Sequence, residues 1–147
     1  MQPNLKQPTV LRISERQESL RTQGEMEAAI CEGMSRFEQE YLGRGPRDIR
    51  AHLIGDLIVV RFQGVLTASE KHLATDLTSE NGRELLKQVR TQLIEIARPA
   101  LEAWIHGLIG TKMLSLHHDI STVTGEQIVV FTLEKAPQFR ELKRNRP

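Results

Sequence analysis

The sequence predicts an α+β fold: a four-stranded, mainly antiparallel sheet from two hairpins, packed with a long kinked helix and an N-terminal helix. Three observations carry this. Apolar residues recur at three- and four-residue steps in two long stretches, one before and one between two segments with strand patterning. Each strand segment is divided by a glycine-bearing turn, as a hairpin requires. Strands and helices do not alternate singly, which argues against a parallel doubly wound sheet.

The chain opens on a polar arm, residues 1–13, with Pro3 and Pro8 and no sustained period. From Ser14 to Tyr41 the pattern is helical, with Met26, Ile30, Met34, Phe37 and Tyr41 on one stripe. Ser14 with Gln17 and Thr22 with Glu25 are both spaced as capping boxes, the second better placed. Gly24 and Gly33 each weaken a helix interior by up to about 1 kcal/mol against alanine, so residues 14–21 read as a separate or fraying turn. Gly43, Gly45 and Pro46 end the helix, because glycine accepts a left-handed cap and proline cannot continue the ladder.

A hairpin follows. Arg47 to Ile54 alternates, with Ile49, Ala51 and Leu53 on one side of the pleat, and Gly55-Asp56 suits a two-residue type II′ turn. Leu57 to Phe62 is a continuous apolar run, the pattern of a strand covered on both faces, and Gly64 closes it. Thr67 and Glu70 form another capping box, opening a short helix through Ala74. The most regular stretch runs from about Asn81 to Leu108, with Leu86, Val89, Leu93, Ile96, Ala100, Trp104 and Leu108 on its apolar stripe. Pro99 falls inside it, and the stripe stays in phase across the proline, which favours one kinked helix over two. Lys112 to Ile120 and Gln127 to Glu134 make the second hairpin, joined by a polar loop that holds Gly125. Residues 14–134 thus form one domain, followed by a basic tail, residues 135–147, with Lys135, Arg140, Lys143, Arg144 and Arg146.

One helical layer covers one sheet face, yet Leu57 to Phe62 and Gln127 to Phe131 read as apolar on both. The other helix or a second protomer must cover the remaining face, and a homodimer is the expectation.

At 147 residues, 39% apolar and 27% charged, the composition is that of a globular protein and excludes disordered, collagen-like and disulfide-stapled classes. Twenty Lys and Arg against 19 Asp and Glu leave no global basic excess for nucleic acid, and 4% aromatics leave few stacking platforms. Cys31 is the only cysteine, compatible with a reducing cytosol. The start lacks the apolar core of a signal peptide, and no run approaches the roughly 18 apolar residues of a membrane span. A cytoplasmic protein is expected, peripheral at the inner membrane face at most.

Gly43-Arg-Gly-Pro46, Gly64-Val-Leu-Thr-Ala-Ser-Glu-Lys71, Gly82-Arg-Glu-Leu-Leu-Lys-Gln-Val-Arg90, Arg98-Pro99 and Asp119-Ile-Ser-Thr-Val-Thr-Gly-Glu126 occur in order ahead of an apolar strand. Together they resemble the bacterial MpsC family over roughly residues 25 to 134. The polar arm before Thr22 and the tail after Lys135 depart from it. The family is named as a component of a Na+-translocating, membrane-potential-generating system associated with inorganic-carbon and cation uptake. The resemblance therefore implies an accessory or regulatory subunit, whose partner is a membrane transport subunit or a soluble carbon-handling subunit. It brings no catalytic residues with it. A chain without a spanning segment cannot itself form an ion path across about 30 Å of hydrocarbon; it can only assist one.

The residues offer few reaction centres of their own. His117 and Asp119 are the weak metal candidates: on a strand they share a face while His118 points away, so a third ligand must come from His52, His72 or His106. Hydrogen-bonded polar side chains at a hairpin end are the favoured reading, with Asp119 and Ser121 fixing the turn. Arg83, Lys87 and Arg90 share a stripe of the long helix, suited to a carboxylate, bicarbonate or phosphate, although Glu84 and Glu95 interleave as on a solvated face. The alternative function is thus an anion- or small-molecule-sensing regulatory dimer. The basic tail could touch anionic lipid. No Walker loop, Rossmann fingerprint, zinc helix or EF-hand is present, Ser69 lacks the Ser-x-x-Lys spacing, and Cys31 lies within a helix. Neither catalysis nor a cofactor is expected.

Overall fold

In the computed structural model, which describes residues 20–75 and 79–141, helix α1 spans Gln23–Leu42. Thr22 caps it reciprocally: its hydroxyl accepts from the Glu25 amide at 3.1 Å, and its amide donates to the Glu25 carboxylate at 3.0 Å. Gly43, at φ 83°, closes the other end in the left-handed conformation. Met26, Ile30, Met34 and Phe37 are buried as the spacing predicts, while Tyr41 stays exposed with its ring 5.1 Å from that of Phe37. The Ser14–Gln17 box, the arm and Lys143, Arg144 and Arg146 lie outside the described residues.

Strands β1 (Asp48–Ile54) and β2 (Leu57–Gln63) form the first hairpin, with Ile54 opposite Leu57 and Gly55 at φ 59° in the two-residue turn. The short helix α2 (Ala68–Thr75) begins on the Thr67–Glu70 box. The long helix α3 (Ser79–Ile109) continues through Pro99 as one element. Strands β3 (Met113–Ile120) and β4 (Gln127–Leu133) complete an antiparallel sheet of order β1-β2-β4-β3. A register shift between Met113 and Ser115 turns Leu114 out to solvent.

The core joins α1 and α3 to one face of this sheet. Ile58, Val60 and Phe62 of β2 alternate with half-exposed or exposed neighbours, and Val129, Phe131 and Leu133 of β4 do the same. Burial of each such side chain contributes about 1.5–3 kcal/mol. Full coverage of both faces of β2 and β4 is therefore not found among the described residues. Leu57, Val59, Ile128 and Val130 remain half-buried on the far face, because both long helices pack on the same side.

The long helix also departs from expectation in which stripe it buries. Leu86 of the expected stripe is buried and its Trp104 and Leu108 pack against the core, but between them Arg90, Ile94, Ala97, Leu101 and Ile105 are buried, whereas Val89 and Ile96 of that stripe are exposed, Ile96 at 68%. Over that span the helix is rotated by roughly a quarter turn from the predicted facing. A charged residue at a core position hid the true stripe, and the row of Leu86, Val89, Leu93, Ile96 and Ala100 made a more regular pattern.

The segment after β4 returns to α1. Phe139 packs against the core, the Arg140 amide donates to the Arg21 carbonyl at 2.9 Å, and the Arg140 guanidinium meets Glu25 at 3.3 Å. This part of the basic tail is thus tied to the domain.

Candidate functional site

The polar centre of the molecule lies where α1, α2, α3 and β4 converge. Arg90, only 2% exposed, projects from α3. Its Nε and Nη2 donate to the two Glu70 oxygens at 3.1 and 3.2 Å, a bidentate pair. Nη2 also donates to the Val65 carbonyl at 3.2 Å, and Nη1 donates to Gln127 Oε1 at 2.7 Å. Glu70 does two jobs, since the same carboxylate accepts from the Thr67 amide that starts α2.

Glu38 of α1 completes the cluster. It is fully buried, with Arg90 Nη1 3.7 Å from its Oε2. Among the described residues no donor comes within hydrogen-bond geometry of either of its oxygens, and Gln127 Nε2 finds no acceptor, although the Gln127 amide and the Arg90 guanidinium are the polar neighbours of the carboxyl. Burial pushes the Glu38 carboxyl up to about 7, against the opposing pull of Arg90 and with a further push from Glu70.

Beside this network a recess of about 120 Å3 is lined by Lys87, Thr91, His118 and Asp119 as well as Arg90 and Gln127. Lys87 Nζ pairs with Asp119 at 3.1 Å across its rim, which holds the Asp119 carboxyl below its usual range. Burial lowers the His118 pKa, so its imidazole is neutral at pH 7. The arrangement can store a proton and a fixed cation; it presents no activated nucleophile. Cys31, whose thiol is pushed up by burial, lies 3.8 Å from the Ile49 carbonyl.

Arg83, Lys87 and Arg90 do share a stripe, but it is the one turned toward the sheet. Arg90 is taken up by Glu70, Gln127 and Val65, Lys87 by Asp119, and Arg83 is half-buried. His117 and Asp119 share the sheet face away from the core, with His118 on the other. Among the described residues no three His, Cys, Asp or Glu side chains come together as a metal site. Asp119 accepts from the Ile120 amide at 2.8 Å, and the Ser121 hydroxyl accepts from the Thr124 amide at 3.2 Å, which fixes the turn. Gly43, Gly64 and Gly125 take positive φ; Gly45 and Pro46 connect α1 to β1, and Pro99 lies within α3.

Sequence reasoning missed Glu38 and Gln127 and saw Glu70 only as a cap. Two signals were available. Glu38 follows Met34 by one turn on the apolar stripe of α1, and Gln127 alternates in phase with Val129, Phe131 and Leu133.

The family model described as Na+-translocating membrane potential-generating system (MpsC) matches residues 22–135. The uncharacterized protein YbcI of Bacillus subtilis (strain 168) is 33% identical over 113 residues, covering 77% of this chain and 89% of its own length. The uncharacterized protein YrhF of the same strain is 27% identical over 101 residues, covering 68% and 80%. No solved structure matches. Among the described residues no helix is long and apolar enough to cross a membrane.

Proposed function

The chain belongs to the MpsC family, and on that premise we propose that it is a non-catalytic accessory subunit of a Na+-translocating system, working through contacts with other polypeptides. The observation that carries this reading is the pairing of that membership with unspent apolar surface. Leu57, Val59, Ile128 and Val130 line the sheet face that the described residues leave without a helix, and Leu85, Val89 and Ile96 stand out from α3. In this reading the protein sits at the cytoplasmic side and docks on a membrane transport subunit or a soluble carbon-handling subunit.

The α3 row also supports a homodimer. It carries large residues in its first half, Leu85, Val89, Leu93 and Ile96, and small ones in its second, Ala100, Ala103 and Gly107. Two copies crossing antiparallel about a twofold axis set the large half of each against the small half of the other.

The test is the membrane potential of cells of the source organism with and without this gene, followed with a potential-sensitive dye during a Na+ pulse. Loss of the Na+-dependent component on deletion, restored by the full chain, is expected. An unchanged potential in the deletion strain refutes the assignment. Co-purification with identified transport subunits separates a direct contact from an indirect effect.

A further inference from the structure

One guanidinium in the core faces carboxylates from two different helices: Glu70 of α2 at 3.1 and 3.2 Å, and Glu38 of α1 at 3.7 Å. Out of water, one positive charge does not compensate two negative ones, because the second ionised carboxylate carries its desolvation cost uncompensated. One of the pair therefore holds a proton. Glu70 receives two N–H donors from Arg90 and one from the Thr67 amide, and its edge reaches solvent, so it is the ionised partner. Glu38 has no donor within hydrogen-bond geometry of either oxygen among the described residues, only Arg90 and the Gln127 amide nearby, and it has no exposed surface.

The groups that meet Glu38 from the elements around it are Arg90 of α3, Glu70 of α2 and the Gln127 amide of β4. Farther out, beside the recess, stand the half-buried His118 of β3, its pKa lowered by desolvation, and the mutually paired Lys87 and Asp119. The connection between β2 and α2 adds only the Val65 carbonyl, already bonded to Arg90.

We propose that Glu38 is a proton-binding site in the core, and that its state decides whether Arg90 remains on Glu70 and so holds α2 against α3. With the proton in place, the guanidinium serves Glu70, Gln127 and Val65. When the proton leaves to solvent, ionised Glu38 competes for the same guanidinium from 3.7 Å away and draws it off α2. A helix of eight residues does not stand alone in water, so α2 depends on such tertiary ties. The upward displacement of the Glu38 carboxyl to about 7 sets the exchange in the neutral range. The ligand is a proton, and the element it releases is a surface helix.

Carbon-13 NMR of the full chain, with glutamate labelled at Cδ, reads the site directly, and amide protection factors over residues 68–75 read the latch. The expected result is one glutamate carboxyl titrating in the neutral range and absent in Glu38→Gln. Protection of α2 should fall severalfold through the same range in the natural protein and stay flat in that variant. A Glu38 carboxyl that titrates with the bulk glutamates, or α2 protection indifferent to pH, overturns the proposal. Should Glu38→Gln fail to fold, Glu70→Gln serves in its place. It frees Arg90 for Glu38 and should lower the Glu38 midpoint by on the order of one pH unit; an unmoved midpoint is equally fatal.

Discussion

Gly33 of α1 packs against the indole of Trp104 of α3, so closely that a β-carbon at position 33 would overlap the Cζ2, Cε2 and Cη2 atoms of its six-membered ring. This contact accounts for a glycine in the middle of a helix, where the residue otherwise weakens the structure. It also sets how closely the two long helices approach. Gly33→Ala should therefore lower stability by about 1–3 kcal/mol, the usual range for overpacking, despite its better helix propensity. Denaturant unfolding measures this, and combining it with Trp104→Ala should give a strongly non-additive pair.

Glu38 makes stability depend on pH in a direction opposite to most carboxylates. Its folded pKa lies at about 7, above the ordinary value of 4.5, so the folded state keeps a proton that the unfolded chain releases. Stability from this group is fully present below the ordinary value and is lost as pH rises toward 7. The loss is on the order of 3 kcal/mol and levels off above the folded pKa. Glu38→Gln should remove this slope, so that the variant gains on the natural protein between pH 5 and 8 in thermal melts.

Arg90 is the opposite case. Arg90→Met leaves Glu70 and Glu38 facing each other in the core without a cation and removes the donors to Gln127 and Val65. Breaking one partner of such a buried pair costs about 3–5 kcal/mol. The same burial means that millimolar phosphate or bicarbonate should leave the melting temperature unmoved. A clear rise that depends on Arg83 and Lys87 would restore an anion site on that stripe.

The exposed row on α3 makes a separate prediction about assembly. Val89→Glu with Ile96→Glu places charge on two side chains that are exposed in the single chain. Stability of the monomer should change little, while light scattering shows a fall from dimer to monomer. A natural protein that is already monomeric at micromolar concentration ends the twofold α3 reading.

Loss of a cap is the local control. Thr22→Ala removes the hydroxyl that accepts from the Glu25 amide and should reduce stability by about 1 kcal/mol without altering assembly. The melting temperature reports the first effect and light scattering the second.

Local chemistry was legible residue by residue. The Thr22 and Thr67 boxes, the Gly43 cap, the Gly55 turn and the two hairpins each follow from side chains within a few positions of one another. Such interactions are made within one segment, so the segment alone determines them. The facing of α3 was not local. Its circumference carries two apolar rows, and only the carboxylates of α1 and α2, with Gln127 of β4, make the row containing Arg90 the one that can be buried. Periodicity records that a helix has an apolar side; which side meets the core is decided where charges from distant parts of the chain compensate one another out of water. The Glu38–Arg90–Glu70 site is of that kind and exists only once the tertiary structure has brought three helices and a strand together.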